Sequence, residues 1–307
     1  MENKGLTLSI IFDAQSANYG EGANNFSALK RLSRGDGNSY SYISRQALRY
    51  NIIEQLKWDN TKVSNADKVV QFEMNTSIKD SPEIDLFGYM KTGKNSVNGS
   101  SNTRNAVVRL SNAVALESYN SDLDFLNNMG IAKKRGADFD NALVQNEIHR
   151  SYYAYTVTID LDKVGIDKVV KKINKGKEPD IEEITIDNKE KAKRVKDLLN
   201  VLKFLYRDIR GRRENLSPIF IIGGVYNIKN PFFENRLKVN KNNLEIKTIK
   251  DVLNLDEEEI KKKTKFAIID SIFSNTEEIK EELKDLNAGS VADVIKYLCE
   301  EVDRYYE

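Results

Sequence analysis

Between Ala23 and Ile53 the chain carries five cations, Lys30, Arg31, Arg34, Arg45 and Arg49, against Asp36 as the single acid. Guanidinium and ammonium groups gathered in this way can neutralise and position phosphates without reading a base sequence. Two of them stand where an ordinary helix puts core residues. In YISRQALRYNIIEQL, Tyr42 to Leu56, Ser44 reads as the N-cap. Setting Arg45 at zero and stepping about 100° per residue puts Leu48, Ile52, Ile53 and Leu56 at about 300°, 340°, 80° and 20°. Arg49 falls at about 40°, inside that apolar stripe, while Glu54, Asn51 and Lys57 hold the opposite face. Both arginines also sit in the first two turns, where the positive end of the helix dipole disfavours cations. The pattern predicts either an anion above the helix start or buried carboxylates paired with the two guanidiniums. Ser44 and Gln46 join the candidates for the anion because they open the helix. Lys30, Arg31 and Arg34 lie in the same strand-to-helix connection, and the alternative for them is a set of solvated loop charges.

A second basic run, RDIRGRR from Arg207 to Arg213, adds Arg210, Arg212 and Arg213. It is read as the close of a long helix, where cations suit the dipole, so structural and phosphate-binding roles stay open. Enzyme chemistry finds less support. GYMKTGKN, Gly88 to Asn95, has the lysine of a phosphate loop, but Asn95 replaces the magnesium-holding Ser or Thr and polar low-complexity sequence follows. The only histidine, His149, and the only cysteine, Cys299, are far apart. With no ligand-spaced cluster, the expectation is no metal and no cofactor. Asp36 in SRGDGN, between two glycines, reads locally as a turn residue.

The elements that position these residues follow from periodicity. A chain of 307 residues with 40% hydrophobic content can bury a real core. Its net charge of +1 does not by itself announce nucleic acid. The single cysteine excludes an internal disulfide and fits a reducing cytosol, so a cytoplasmic location is expected. MENKGLTLSIIFDA reads as a strand rather than a signal peptide, and no apolar run approaches a membrane span. Leu6 to Phe12 is a strand; a Gly, Asn and Ser-rich loop runs to Ile43, and the first helix follows. From Trp58 to Thr103 periodicity is weak. Arg104 to Leu116 is rich in β-formers, Glu117 to Arg150 is a polar excursion, and Tyr153 to Leu161 alternates as a strand with one buried face. Asn188 to Arg210 has helical spacing and SPIFIIGGVY is a strand. The order strand, helix, strand, strand, helix, strand is the split βαβ arrangement, with two crossover helices on one face of an antiparallel sheet. From about Pro231 come further helices, the last opening at Ser290, and an edge strand within Lys265 to Phe273.

YSYISRQALRYNI, IDLFGYM, RNAVVRLSNAVALESYNSDLDF and YYAYTVTIDLDKVG followed by SPIFIIGGVYN together resemble the CRISPR-associated DevR-type autoregulators, the Cas-seven crRNA-binding backbone subunits of type I-B Cascade. The resemblance runs in order from about Leu6 to Asn227. It implies an α+β fold: an RNA-recognition-motif-like palm over residues 1–229, a finger inserted at 58–103 and a thumb at 117–150. Residues 230–307 would form a mainly helical extension packed on the palm. The implied function is not catalysis but packaging. Such subunits line up head to tail along a CRISPR guide RNA, grip its backbone, present bases to target DNA, and bind other Cascade subunits. The RNA contacts expected here are Lys30, Arg31, Arg34, Ser44, Arg45, Gln46, Arg49, Arg210, Arg212 and Arg213. In the implied thumb, Phe125 and Met129 either anchor a loop or wedge between bases. Two rival readings remain: an endoribonuclease acting through Asp36, as in related type III subunits, and a DNA-binding transcriptional regulator.

Overall fold

In GLTLSIIFDA the residues Leu6, Leu8, Ile10 and Phe12 recur at every second place, which is the period of a strand with one face in a core. The computed structural model describes residues 2–15, 18–20, 22, 25–66, 69–92, 102–120, 122–127, 134, 143–172 and 180–307. The first strand, β1 (Gly5–Ala14), is followed by β2 (Arg31–Ser33), β3 (Ser39–Ile43) and helix α1 (Arg45–Leu56). Then come β4 (Val108–Leu110), β5 (Ala113–Ala115), β6 (Ser151–Asp160), helix α2 (Asn188–Leu202), β7 (Phe220–Tyr226), β8 (Thr264–Ile268) and helix α3 (Val291–Tyr306). These strands make one antiparallel sheet in the order β8-β7-β1-β6-β5-β3-β2, with β4 also on β6.

Register decides what the sheet buries. Leu6 lies opposite Ile159, Leu8 opposite Val157, Ile10 opposite Tyr155 and Phe12 opposite Tyr153, so these eight side chains share one face. Against it pack Leu48, Ile52 and Ile53 of α1, Val195, Leu198, Leu199 and Leu202 of α2, and Val294, Ile295, Leu298 and Val302 of α3. Ser290 caps α3 in a capping box with Asp293. On β7, Gly223 lies opposite Leu8, and a Cβ there would meet the carbonyl oxygen of Thr7 at 2.1 Å. Only glycine lets the two backbones come that close. The other face is covered in part. Residues between Phe233 and Leu286 pack on Ile11, Phe220, Ile222 and Phe266, which are on β1, β7 and β8.

Three elements differ from the sequence reading. The loop expected up to Ile43 contains the β2–β3 hairpin, which extends the sheet edge. Its alternation is hidden because the inward residue Ser41 is polar, and its hydroxyl is satisfied by His149 Nδ1 and Tyr153 Oη, each at 2.7 Å. The second long helix stops at Leu202, not Arg210. Tyr206–Ile209 and Arg212–Asn215 form a hairpin closed by Arg210 (φ 50°) and Gly211 (φ 77°), the left-handed pair of a two-residue turn. The charged connection before α2 also folds back, pairing Ile166–Lys172 with Asp180–Thr185.

The weakly periodic stretch after α1 is pinned by charge. Asp85, fully buried in the short helix Pro82–Phe87, accepts from Arg104 Nη2 at 2.7 Å, the Gly165 amide at 2.9 Å and Arg194 Nη1 at 3.0 Å. One carboxylate thereby ties IDLFGYM to the Asn102–Arg104 strand and to α2. Among the described residues no helix is long and apolar enough to cross a membrane.

Candidate nucleic-acid interface

Where the C-terminal cover stops, a groove runs across the face of β6. Its floor is polar because alternate residues of the strands point there: Thr7 on β1, and Thr156 and Thr158 on β6. Ser111, in the break between β4 and β5, donates its amide to the Thr156 carbonyl and accepts the Thr156 amide on its hydroxyl, both at 2.9 Å. One wall is the turn from Pro231, anchored by the buried Phe233 and Leu237. The facing wall is the start of α1. There Ser44 Oγ accepts the Ala47 amide at 3.3 Å, and Asn112 Oδ1 accepts the Arg45 amide at 2.9 Å.

Three adjoining hollows make up the groove. Arg34 and Lys238 line the first, Arg45, Arg109 and Lys229 the second, and Arg45, Gln46, Arg49 and Phe87 the third. Ser111, Thr156 and Glu234 are common to the first two, and Arg45, Arg109 and Leu110 to the last two. Such a track of cations above hydroxyl and amide groups suits a chain of phosphates and sugars. Its acids are few. Asp160 is shared by Arg109 Nη1 at 3.1 Å and Lys163 Nζ at 3.2 Å. Burial raises its carboxyl, but the two cations outweigh that and hold it below the usual carboxylate range.

The two arginines of α1 part company. Arg45 is exposed, and among the described residues no carboxylate pairs with it. Arg49 is instead 3.0 Å from Glu83 Oε1, with its guanidinium 5.1 Å from the Phe87 ring centre. The buried residues of α1 are Leu48, Asn51, Ile52 and Ile53. Their arc is centred roughly 45° away from Arg45, because Asn51, expected on the solvated face, is buried and donates Nδ2 to the Ala47 carbonyl at 2.7 Å.

Other expected contacts are distributed differently. Lys30 reaches the helix start through its backbone: its amide donates to Asn18 O at 2.6 Å, and Asn18 Oδ1 accepts the Ser44 amide at 3.2 Å. Arg34 lines the groove with its guanidinium 4.2 Å from the Tyr40 ring centre. Arg31 lies outside it, over Tyr119 at 4.6 Å and 3.7 Å from Glu147 Oε1. Arg210, Arg212 and Arg213 belong to the hairpin beside the end of β1, where the Gln15 amide donates to Glu214 Oε1 at 2.7 Å. Arg210 donates to Ser27 Oγ at 2.7 Å and lies over Tyr19, while Arg213 forks onto Asp208 with two bonds of 2.8 Å. Arg212 is 3.6 Å from Glu214. These four are not brought together with Arg45.

The alternative chemistry has clear structural occupations. Asp36 Oδ1 accepts the Asn38 amide at 2.9 Å and Oδ2 the Tyr40 hydroxyl at 2.8 Å, closing the β2–β3 turn. Those two donors hold its carboxyl below the usual range. His149 is buried between Tyr119 and Tyr153, and burial lowers its pKa. Gly88 (φ 73°) ends the Pro82–Phe87 helix, and Lys94 and Asn95 lie outside the described residues. No group of three His, Cys, Asp or Glu suited to a metal occurs among the described residues. Phe125 is 57% exposed on a strand, Asp122–Asn127, paired with Leu143–Ile148, and Gln145 sits between Phe125 and Phe26. Met129 lies outside the described residues.

Arg109, Asn112, Lys229, Lys238 and Glu234 were not singled out from the sequence. Arg109 had a signal, a lone charge inside VVRL beside the break at Ser111 and Asn112. Lys229, Glu234 and Lys238 had none, because they meet the groove only where the chain after β7 packs across the sheet.

The whole fold has relatives among solved structures. A chain of a "CRISPR RNA-guided surveillance complex" superposes with a TM-score of 0.56 at 12% identity, covering 97% of this chain and 99% of that one. A chain of a "CRISPR RNA-guided surveillance complex, pre-nicking" gives 0.58 at 10% identity, covering 97% and 100%. No match was found among curated proteins. Residues 6–245 match the family described as "CRISPR-associated negative auto-regulator DevR/Csa2", which spans β1 through the groove's C-terminal wall. The chain therefore belongs to the DevR/Csa2 family of CRISPR-associated proteins.

Proposed function

We propose that this protein is a non-catalytic backbone subunit of a type I-B Cascade surveillance complex in the cytoplasm, gripping guide RNA in the groove over β6. The observation that carries the reading is the continuous track from Arg34 through Arg45 and Arg109 to Arg49. Membership of the family and the likeness of fold to chains of RNA-guided complexes support it. In this reading β1, β4 with β5, β6 and β7 are the four strands of an RNA-recognition-motif-like palm over residues 1–229. Their spatial order, fourth, first, third, second, fits a βαββαβ unit. Residues 58–103 are its finger and 117–150 its thumb, with Phe125 available to stack on or wedge between bases. Residues 230–307 complete the groove. Phosphates are held without base readout, which leaves the bases free to pair with target DNA.

Palm and thumb are different surfaces, so contact between copies is head to tail and need not close into a ring. Copies should then follow guide length, with other Cascade subunits at the ends. Native mass spectrometry of complexes loaded with guides of increasing spacer length tests this. Subunits should be added in proportion, together with a copurifying RNA of uniform length that carries CRISPR repeat sequence. A fixed copy number at every length, or no RNA, refutes the reading.

A further inference from the structure

One acid in the groove has no cation of its own. Glu234 is half-buried where the first two hollows join, with Arg34 and Lys238 on one side and Arg45, Arg109 and Lys229 on the other. Among the described residues none forms an ion pair or hydrogen bond with its carboxylate, whereas Asp160 nearby has both Arg109 and Lys163. Its position is fixed. The Glu234 amide donates to the Pro231 carbonyl at 2.9 Å, and the adjacent Phe233 is fully buried. A carboxylate in this place repels phosphates, so it lowers affinity for any polyanion unless the ligand brings it a donor.

We infer that Glu234 is a specificity-determining residue that accepts a hydrogen bond from a ribose 2′-hydroxyl, with phosphates seated on the cations to either side. This rests on reading the groove as a site for an RNA backbone. Phosphates carry no proton to donate, and neither does a deoxyribose within a strand. Exocyclic amines of bases are donors, but uracil has none, and a grip indifferent to sequence needs a donor that every nucleotide carries. The 2′-hydroxyl is that donor, and it is what distinguishes RNA from DNA at a given position. Glu234 therefore selects ribose, and it sets the register by keeping phosphates out of the junction.

The test uses the full-length protein with oligouridine and oligodeoxyuridine of equal length, in which no base amine is present. Wild type should prefer the ribose form by roughly tenfold, the worth of one hydrogen bond to a charged acceptor. Glu234→Leu should cut that preference to within about twofold, chiefly by strengthening deoxy binding as the repulsion is removed. Glu234→Gln, which keeps an oxygen acceptor without the charge, should fall between. Thermal melts check folding, and if the Leu variant does not fold the Gln variant decides. An unchanged ribose preference in the folded variant, or no preference in wild type, overturns the inference while leaving the groove in place. Failure of wild type to bind either oligonucleotide overturns the groove reading itself, and this inference with it.

Discussion

Arg45 and Arg49, one turn apart on α1, should respond to alanine in opposite ways. Arg49 is held by an ion pair of 3.0 Å with Glu83, its side chain 35% exposed, and by the face of Phe87. A partly exposed pair contributes about 0.2–1 kcal/mol, and the ring adds about 0.5–1 kcal/mol. Arg49→Ala should therefore destabilise the free protein by about 1–2 kcal/mol. Among the described residues Arg45 has no such partner, and it stands at the positive end of the helix dipole. Its removal should leave stability unchanged or raise it by about 0.3–1 kcal/mol. In RNA binding the ranking reverses. Arg45→Ala should make the slope of log affinity against log salt shallower by about 0.7, one phosphate contact on a single strand, for all RNA sequences alike. Arg49→Ala should change it less, since Glu83 already claims the charge. Urea unfolding of the free variants and fluorescence anisotropy across a salt series give the two readouts. Marked destabilisation by Arg45→Ala with an unaltered salt slope refutes the reasoning, because Arg45 would then be a structural cation.

Asp85→Ala removes the carboxylate shared by Arg104 and Arg194, 6% and 3% exposed, and leaves them only Asp167 at 3.5 Å and Glu190 at 2.8 Å. It should cost about 3–5 kcal/mol in urea unfolding, and an unchanged midpoint would remove Asp85 as the anchor of IDLFGYM. Burial depresses the folded pKa of His149, so the unfolded chain takes up its proton first as pH falls. The stability from a neutral His149 is complete above the unfolded value of about 6.5 and is lost as pH drops below it towards the folded value. His149→Gln should flatten the dependence of the melting temperature on pH between about 7.5 and about 5, and an equally steep profile in the variant would place the titration elsewhere. Asp36→Asn should weaken the β2–β3 turn while leaving guide loading and RNA integrity unaltered. Metal-dependent cutting of a complementary RNA that disappears in this variant would move the assignment to a ribonuclease.

Burial with a regular period is legible in a linear sequence, and the elements built on it were found there. The alternation in β1 and β6 identified the strands that carry Leu8, Phe12, Tyr153 and Tyr155, and the last helix, expected to open at Ser290, is α3. The cap of α1 at Ser44 and the concentration of cations before it were equally local facts. The excess of positive charge was therefore visible, but not which charges are free. Glu83 reaches Arg49 across an intervening segment, and Asn51 can be buried because its amide finds Ala47 O one turn back, which rotates the core arc away from Arg45. Polar burial defeats periodicity for the same reason: Ser41 looks solvated until His149 and Tyr153 are seen to satisfy it. Arg210 looked helical, yet the turn it makes with Gly211 sends it to Ser27 and Tyr19. The groove itself belongs to no segment. Arg109 comes from β4, Arg45 from α1, Lys229 from the turn after β7, and Glu234 and Lys238 from the C-terminal cover, and only the packing of that cover against β1 and β7 makes one surface of them.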